Sequence, residues 1–202
     1  MDFRQDQILL EKSPSLIQYF ENQINLIKNK EIKQLLISFL ENIPKYKMEK
    51  PTSGSGKYHP FWQNDFAGNG IHTKNVIKIL QVFERAFPNL RWDEIYCAAI
   101  LHDIEKWENS EIDHTTNKHP KLAAEKFETF CKEKKIPKKF YKFVCHLIMW
   151  HDGRFNFTYA DKDKIKSNYT KGLKKKMKYT ETYILHSADM ISSSRDLWES
   201  YI

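Results

Sequence analysis

The chain is poor in the residues that interrupt helices. Its 202 residues include only six glycines and seven prolines. Short strands joined by tight turns would use more of both, so long helices are favoured. Cysteine is also scarce. Cys97, Cys131 and Cys145 are isolated and odd in number, and none has CxxC spacing. That excludes a disulfide framework and suits a reducing compartment. No stretch approaches the roughly 20 consecutive apolar residues of a membrane span. The opening MDFRQDQILLEKS carries acidic residues and no long apolar run, so it does not read as a secretory signal.

What is present is a globular composition, 41% hydrophobic and 14% aromatic. Lys and Arg exceed Asp and Glu by 33 to 26, a net charge of +7. The excess favours anionic partners such as nucleotides, nucleic acid or phosphate esters. It fits equally a Lys- and Ile-rich composition set by base bias, with lysines on solvated helix faces.

Ser13-Pro14 reads as a helix start, with serine as N-cap and proline in the first turn. Apolar residues from Leu16 to Leu40 then recur at helical spacing, as one bent helix or two short ones ending near Pro44. Residues 44–70 read as a long loop, which favours a functional role. Its Ser53-Gly54-Ser55-Gly56-Lys57 fails as a phosphate-binding P-loop. Pro51 stands where the first glycine belongs, and Tyr58 replaces the Ser or Thr that would hold magnesium. Glycine amides with Lys57 remain available to an anion, against the alternative of a plain flexible loop.

Helices are expected over Ile71–Phe87, Trp92–Asp103, His119–Phe130, Pro137–His151 and Tyr179–Trp198. Gly153 suits the position just past a helix end. Residues 161–178 hold eight lysines and read as a solvated face or as a rim that attracts a polyanion.

Chemistry concentrates at helix ends. In CAAILHDIEKW an apolar helix stops at His102-Asp103. Imidazole and carboxylate are common ligands of divalent cations. His72, His119 and His151 also fall at helix termini, and Asp189 lies among apolar positions of the last helix, where a buried carboxylate needs a partner.

The order H…HD…D, as His72, His102-Asp103 and Asp189, resembles the HD-domain superfamily of metal-dependent phosphohydrolases. GNGIHTKNV is similar to the G-G-x-x-x-H-T opening of some of its members, and AAILHDIEKW to their L-H-D-x-x-K segment. HPKLAAE resembles H-P-x-x-A, HLIMWHDGRF resembles H-x-G-x-W/F, and LHSADMISSSR resembles the final A-D-x-x-x-S-R helix. SGSGKYHP resembles small HD proteins of bacteria and phages. The resemblance runs from about residue 52 to 198. Two positions depart from it: Glu105 stands where small residues are common, and Asp152 follows His151 where related proteins vary.

The resemblance implies an all-α HD-domain helical bundle over 51–202, with residues 1–50 as a helical segment packed on it. It implies that His72, His102, Asp103 and Asp189 hold one metal. His119 and His151 join a second, bridged by Asp103. Mixed His and carboxylate ligands fit one or two divalent ions of the Mn, Fe, Co, Ni or Mg class. Such an ion lowers the pKa of a water and polarises a phosphoryl oxygen. Lys106 is expected near the phosphate with Asp103, and Lys57, His59 and Arg154 are expected to bind substrate. His146 is expected as core or as support, and the family pattern gives His186 no role.

The expected function is hydrolysis of a phosphoester in a nucleotide or nucleic acid, in the cytoplasm of a bacterium or of a phage-infected host, with no membrane partner. Three alternatives stand beside it: 3′-to-5′ exonuclease action, a di-iron oxygenase of the HD type, and a nucleotide-binding module without turnover.

Overall fold

The computed structural model describes residues 3–57, 59–107, 115–153 and 179–199. Arg154 and the lysine-rich stretch 161–178 lie outside the described residues. Those described form eleven α-helices and one 3-10 turn, with no strand among them. The helices are α1 (Phe3–Lys12), α2 (Leu16–Tyr19), α3 (Glu21–Ile24), α4 (Lys30–Leu40), α5 (Tyr46–Glu49), α6 (Gly68–Ala86), α7 (Trp92–Leu101), α8 (His119–Glu133), α9 (Lys138–Trp150), α10 (Thr180–Ser192) and α11 (Arg195–Glu199). The 3-10 turn is Phe61–Gln63.

α7 is the centre of the bundle. From Ile95 to Leu101 every side chain is buried. A helix that is apolar on all sides must be enclosed. α6 and α9 pack against it, α8 packs on α9, and α10 packs on α6. The helices that carry the predicted ligands therefore meet one another directly. α4 adds a lateral wall through Ile32, Leu35, Leu36, Phe39 and Leu40. That i, i+3, i+4, i+7, i+8 face contributes about 1.5–3 kcal/mol per fully buried side chain. Leu10, Leu36 and Met48 of the first fifty residues share one core with Ile71, Ala98 and Leu185.

The N-terminal third differs from the sequence reading. Ser13 does not cap a helix start. It follows α1, and its hydroxyl donates back to Leu9 O at 2.7 Å. Ser15 is the N-cap of α2, accepting from Gln18 N. The apolar run 16–40 is three helices, because Asn29 restarts the chain by capping Ile32 N at 3.1 Å.

The expected loop 44–70 contains α5 and the 3-10 turn. α6 begins at Gly68, three residues earlier than the apolar pattern suggests. A Cβ on Gly68 would lie 2.1 Å from Gln63 O, so only glycine lets the loop backbone approach this closely. The last helix breaks after Ser192, and α11 follows as a separate turn. Among the described residues no helix is long and apolar enough to cross a membrane.

Candidate metal centre

Each predicted ligand arrives from a different place on the bundle. His72 lies in the second turn of α6. His102 and His151 are the C-cap residues of α7 and α9, and His119 opens α8. Asp189 comes from α10. All are at most 7% exposed, and Asp103 is central to them.

The two oxygens of Asp103 face opposite ways. Oδ2 lies 3.4 Å from His102 Nε2, 3.7 Å from His72 Nε2 and 2.7 Å from Lys106 Nζ. Oδ1 lies 3.0 Å from His119 Nε2 and 3.6 Å from His151 Nε2. Asp189 Oδ1 closes the first group, 2.9 Å from His72 Nε2 and 3.9 Å from His102 Nε2. The structure thus brings together His72, His102, Asp103, His119, His151 and Asp189.

The other ring nitrogens explain the orientation. His102 Nδ1 donates to Ala99 O at 2.7 Å, His151 Nδ1 to Ile148 O at 2.7 Å, and His119 Nδ1 to Thr116 O at 2.8 Å. A carbonyl only accepts, so each Nδ1 carries a proton and each ring turns its Nε2 inward. His119 Nε2 and Asp103 Oδ1 are both buried and 3.0 Å apart. With Nδ1 committed to a carbonyl, either a proton on Nε2 or a metal cation can hold this nitrogen and the carboxylate together. Metal-binding histidines commonly have this arrangement of outer nitrogen on carbonyl and inner nitrogen free. The donor set therefore fits divalent ions.

The electrostatics agree. Burial alone would raise the pKa of Asp103, but His102 and Lys106 outweigh it and hold the carboxyl well below its usual range. Asp189 is likewise driven down, with His72 overcoming burial. Burial would lower His151, but Asp152 and Asp103 raise it to about 9. Lys106 is raised because Asp103 and Asp189 outweigh its burial. The cluster attracts positive charge. Burial keeps His72 below its ordinary value, leaving it neutral and available as a ligand.

The HD-domain family model matches residues 69–193, and that span contains all six clustered residues. The chain belongs to the HD-domain family. Nothing among curated proteins and nothing among solved structures matches it.

Two supports of this HD domain come from outside the matched span. Gln63, fully buried, accepts from His59 Nδ1 at 3.0 Å and donates to Ser192 O at 3.1 Å. Ser192 Oγ lies 3.0 Å from His72 Nδ1. This chain of contacts ties the loop histidine to His72, and the two rings pack edge to face at 5.4 Å. Lys47, 3% exposed, pairs with Glu105 Oε2 at 3.0 Å and also donates to Trp107 O. Asn69 Nδ2 donates to both Lys47 O and Asp103 O. Together they clamp the turn that presents Asp103 and Lys106. Glu105 thus faces away from the site, toward Lys47 and Lys126.

Lys57 stands exposed on the glycine loop. The amides of Ser55 and Lys57 are engaged by the Ser53 and Ser55 hydroxyls, so the loop spends part of its donor capacity on itself. A cavity of about 430 Å³ is lined by Lys50, Ser53, Gly56, Asn64 and Trp107. Asn64 on its wall bonds both Gly56 O and His59 O through its amide. A larger cavity of about 860 Å³ lies elsewhere, between α4 and the α8–α9 connection.

The His146 ring packs on Tyr179 at 4.8 Å. His186 Nδ1 donates to His151 O at 2.6 Å, a role that the sequence did not suggest. Asp152, noted in the sequence only as a departure from the family pattern, lies beside the second group. Its oxygens lie 3.7 Å from His119 Nε2 and from His151 Nε2. The repeated His-Asp dipeptide was a signal that could have found it. No local pattern marks Gln63 or Lys47.

Proposed function

We propose that this HD domain is a phosphohydrolase that cleaves a phosphoester of a nucleotide or nucleic acid. The observation that carries the reading is the convergence of four imidazoles and two carboxylates in one buried cluster, with His119 Nε2 3.0 Å from Asp103 Oδ1. In this reading His72, His102, Asp103 Oδ2 and Asp189 hold one divalent cation. His119 and His151 share a second with Asp103 Oδ1. A bound cation of the Mn, Fe, Co, Ni or Mg class supplies a water of lowered pKa and polarises the phosphoryl oxygen.

The chain's own residues do the rest. Lys106 stays charged and sits at the edge of the cluster, where its ammonium pairs with a phosphoryl oxygen and offsets developing charge. His59 is fixed through Nδ1 by Gln63 and kept neutral by burial, its pKa pushed down to about 3. It accepts a hydrogen bond from a substrate hydroxyl or from water. Lys57 and Arg154 attract the anionic substrate.

The cavity of about 430 Å³ is within the size range of small-molecule sites. The net charge of +7 supports a phosphate-bearing ligand. The first fifty residues serve the 51–202 hydrolase domain by supplying Lys47 to the clamp behind the 103–107 turn.

The test is metal-stripped protein reloaded with Mn and assayed on nucleotides, cyclic nucleotides and short RNA and DNA. Release of phosphate or of cleaved product is expected, and it should be lost in a His102→Ala/Asp103→Ala variant. No cleavage of any phosphoester would overturn the proposal.

A further inference from the structure

We infer that Asp152 is a ligand of the second cation, so that the centre is built from two matched His₂Asp₂ halves sharing Asp103. The inference rests on the metal-centre reading above and extends it to a residue that reading left out.

His102-Asp103 and His151-Asp152 are the same device used twice. Each histidine is the C-cap of a helix in αR conformation, with φ −58 for His102 and −61 for His151. Each donates Nδ1–H to the carbonyl three residues back, at 2.7 Å in both cases. α7 and α9 pack on each other, and the two rings meet edge to face at 4.8 Å. Each is followed by an aspartate whose carboxylate lies near its own histidine, Asp103 Oδ2 at 3.4 Å from His102 Nε2 and Asp152 Oδ1 at 3.7 Å from His151 Nε2. Asp103 lies between the halves, while Asp152 lies on the outer side of the His119–His151 pair.

The distances support a ligand role. His119, His151 and Asp152 offer three ligand atoms within 4.8 Å of one another. Asp103 Oδ1, 3.0 Å from His119 Nε2, supplies a fourth. Without Asp152 the second half has two imidazoles and one shared carboxylate. With it, both halves hold two imidazoles and two carboxylates, a set that suits borderline divalent ions such as Mn or Fe(II).

The turn that aims Asp152 is itself fixed. Gly153 adopts a left-handed φ of +53, and a Cβ there would lie 2.8 Å from the His186 ring. The absent side chain lets His186 approach and hold His151 O at 2.6 Å. Asp152 retains 22% side-chain exposure, so its substitution spares the core.

The experiment is Mn titration of the stripped full chain by calorimetry, with electron paramagnetic resonance of the loaded protein. Wild type is expected to bind two Mn per chain and show an exchange-coupled spectrum. Asp152→Asn and Asp152→Ala should weaken the second ion by at least about tenfold and give the six-line spectrum of isolated Mn at matched loading. His119→Ala should lose the same ion. Two ions of wild-type affinity and a coupled spectrum in both Asp152 variants overturn the inference. A single ion in wild type overturns it too, while leaving a mononuclear hydrolase standing. No ion in wild type removes the metal-centre reading itself.

Discussion

Lys47 offers a direct test of how the centre is held. The Lys47→Met substitution keeps the length of the stem and removes the ammonium. In the structure that ammonium is 3% exposed, 3.0 Å from Glu105 Oε2 and bonded to Trp107 O. Removing one partner of a buried ion pair costs about 3–5 kcal/mol. Glu105 keeps its bond to Lys126 at 2.6 Å, which places the loss at the lower end. At about 2–4 °C per kcal/mol for a chain of this size, a loss of about 3 kcal/mol lowers Tm by about 6–12 °C. The turn from Asp103 to Trp107 loses its clamp as well, so Mn affinity should fall about tenfold or more, as for other groups that support metal ligands. Lys47→Arg should restore much of both. The assays are thermal melting in chelator and Mn titration by calorimetry. If Lys47→Met melts within about 2 °C of wild type and binds Mn equally well, the clamp contributes nothing and the argument fails.

Other expectations are shorter. Gln63→Leu cuts the contacts from His59 to Ser192 and His72. Mn-dependent turnover should fall about 10–100-fold, checked by steady-state kinetics with circular dichroism as the folding control. Gly68→Ala places a Cβ against Gln63 O; a denaturant melt should show a loss at the upper end of about 1–3 kcal/mol.

The stability of stripped protein should peak near neutral pH. His59, at about 3, and His72 are held below their ordinary value by burial. The unfolded chain therefore binds their protons first, and stability drops as pH falls below about 6.5. His151 is held at about 9, chiefly by Asp152 acting against burial. Its contribution is complete below about 6.5 and is lost as pH rises through 9. Melting curves in chelator from about pH 5 to about pH 9.5 test this, and Asp152→Asn should flatten the alkaline side.

The inner centre was legible because its chemistry is local. An apolar helix that ends in His102-Asp103 leaves few other uses for the pair, and Asp189 among apolar neighbours needs a partner nearby. The starts of α7, α8 and α9 were legible to within a residue, while α8 runs to Glu133, three residues beyond the expected Phe130. What escaped was long-range. Lys47 sits in a run of charged residues and reads as solvated, yet packing of α5 beside the 103–107 turn buries it. Gln63 has no distinguishing neighbours, and its role exists only because α10 brings Ser192 to it. The apolar run 16–40 hid its breaks because Asn25 and Asn29 interrupt the backbone without interrupting the hydrophobic pattern. Asp152 was read as a departure from the family pattern, whereas its meaning lies in the repeat of the His-Asp dipeptide within this chain.

The central claim is metal-dependent phosphoester cleavage by the His72, His102, Asp103 and Asp189 cluster. The most direct measurement is product release by stripped protein on a panel of nucleotides, cyclic nucleotides and short nucleic acids, before and after Mn addition. Turnover is expected only with metal and is abolished in His102→Ala/Asp103→Ala. Turnover without metal, turnover unchanged in that variant, or no cleavage of any phosphoester contradicts it.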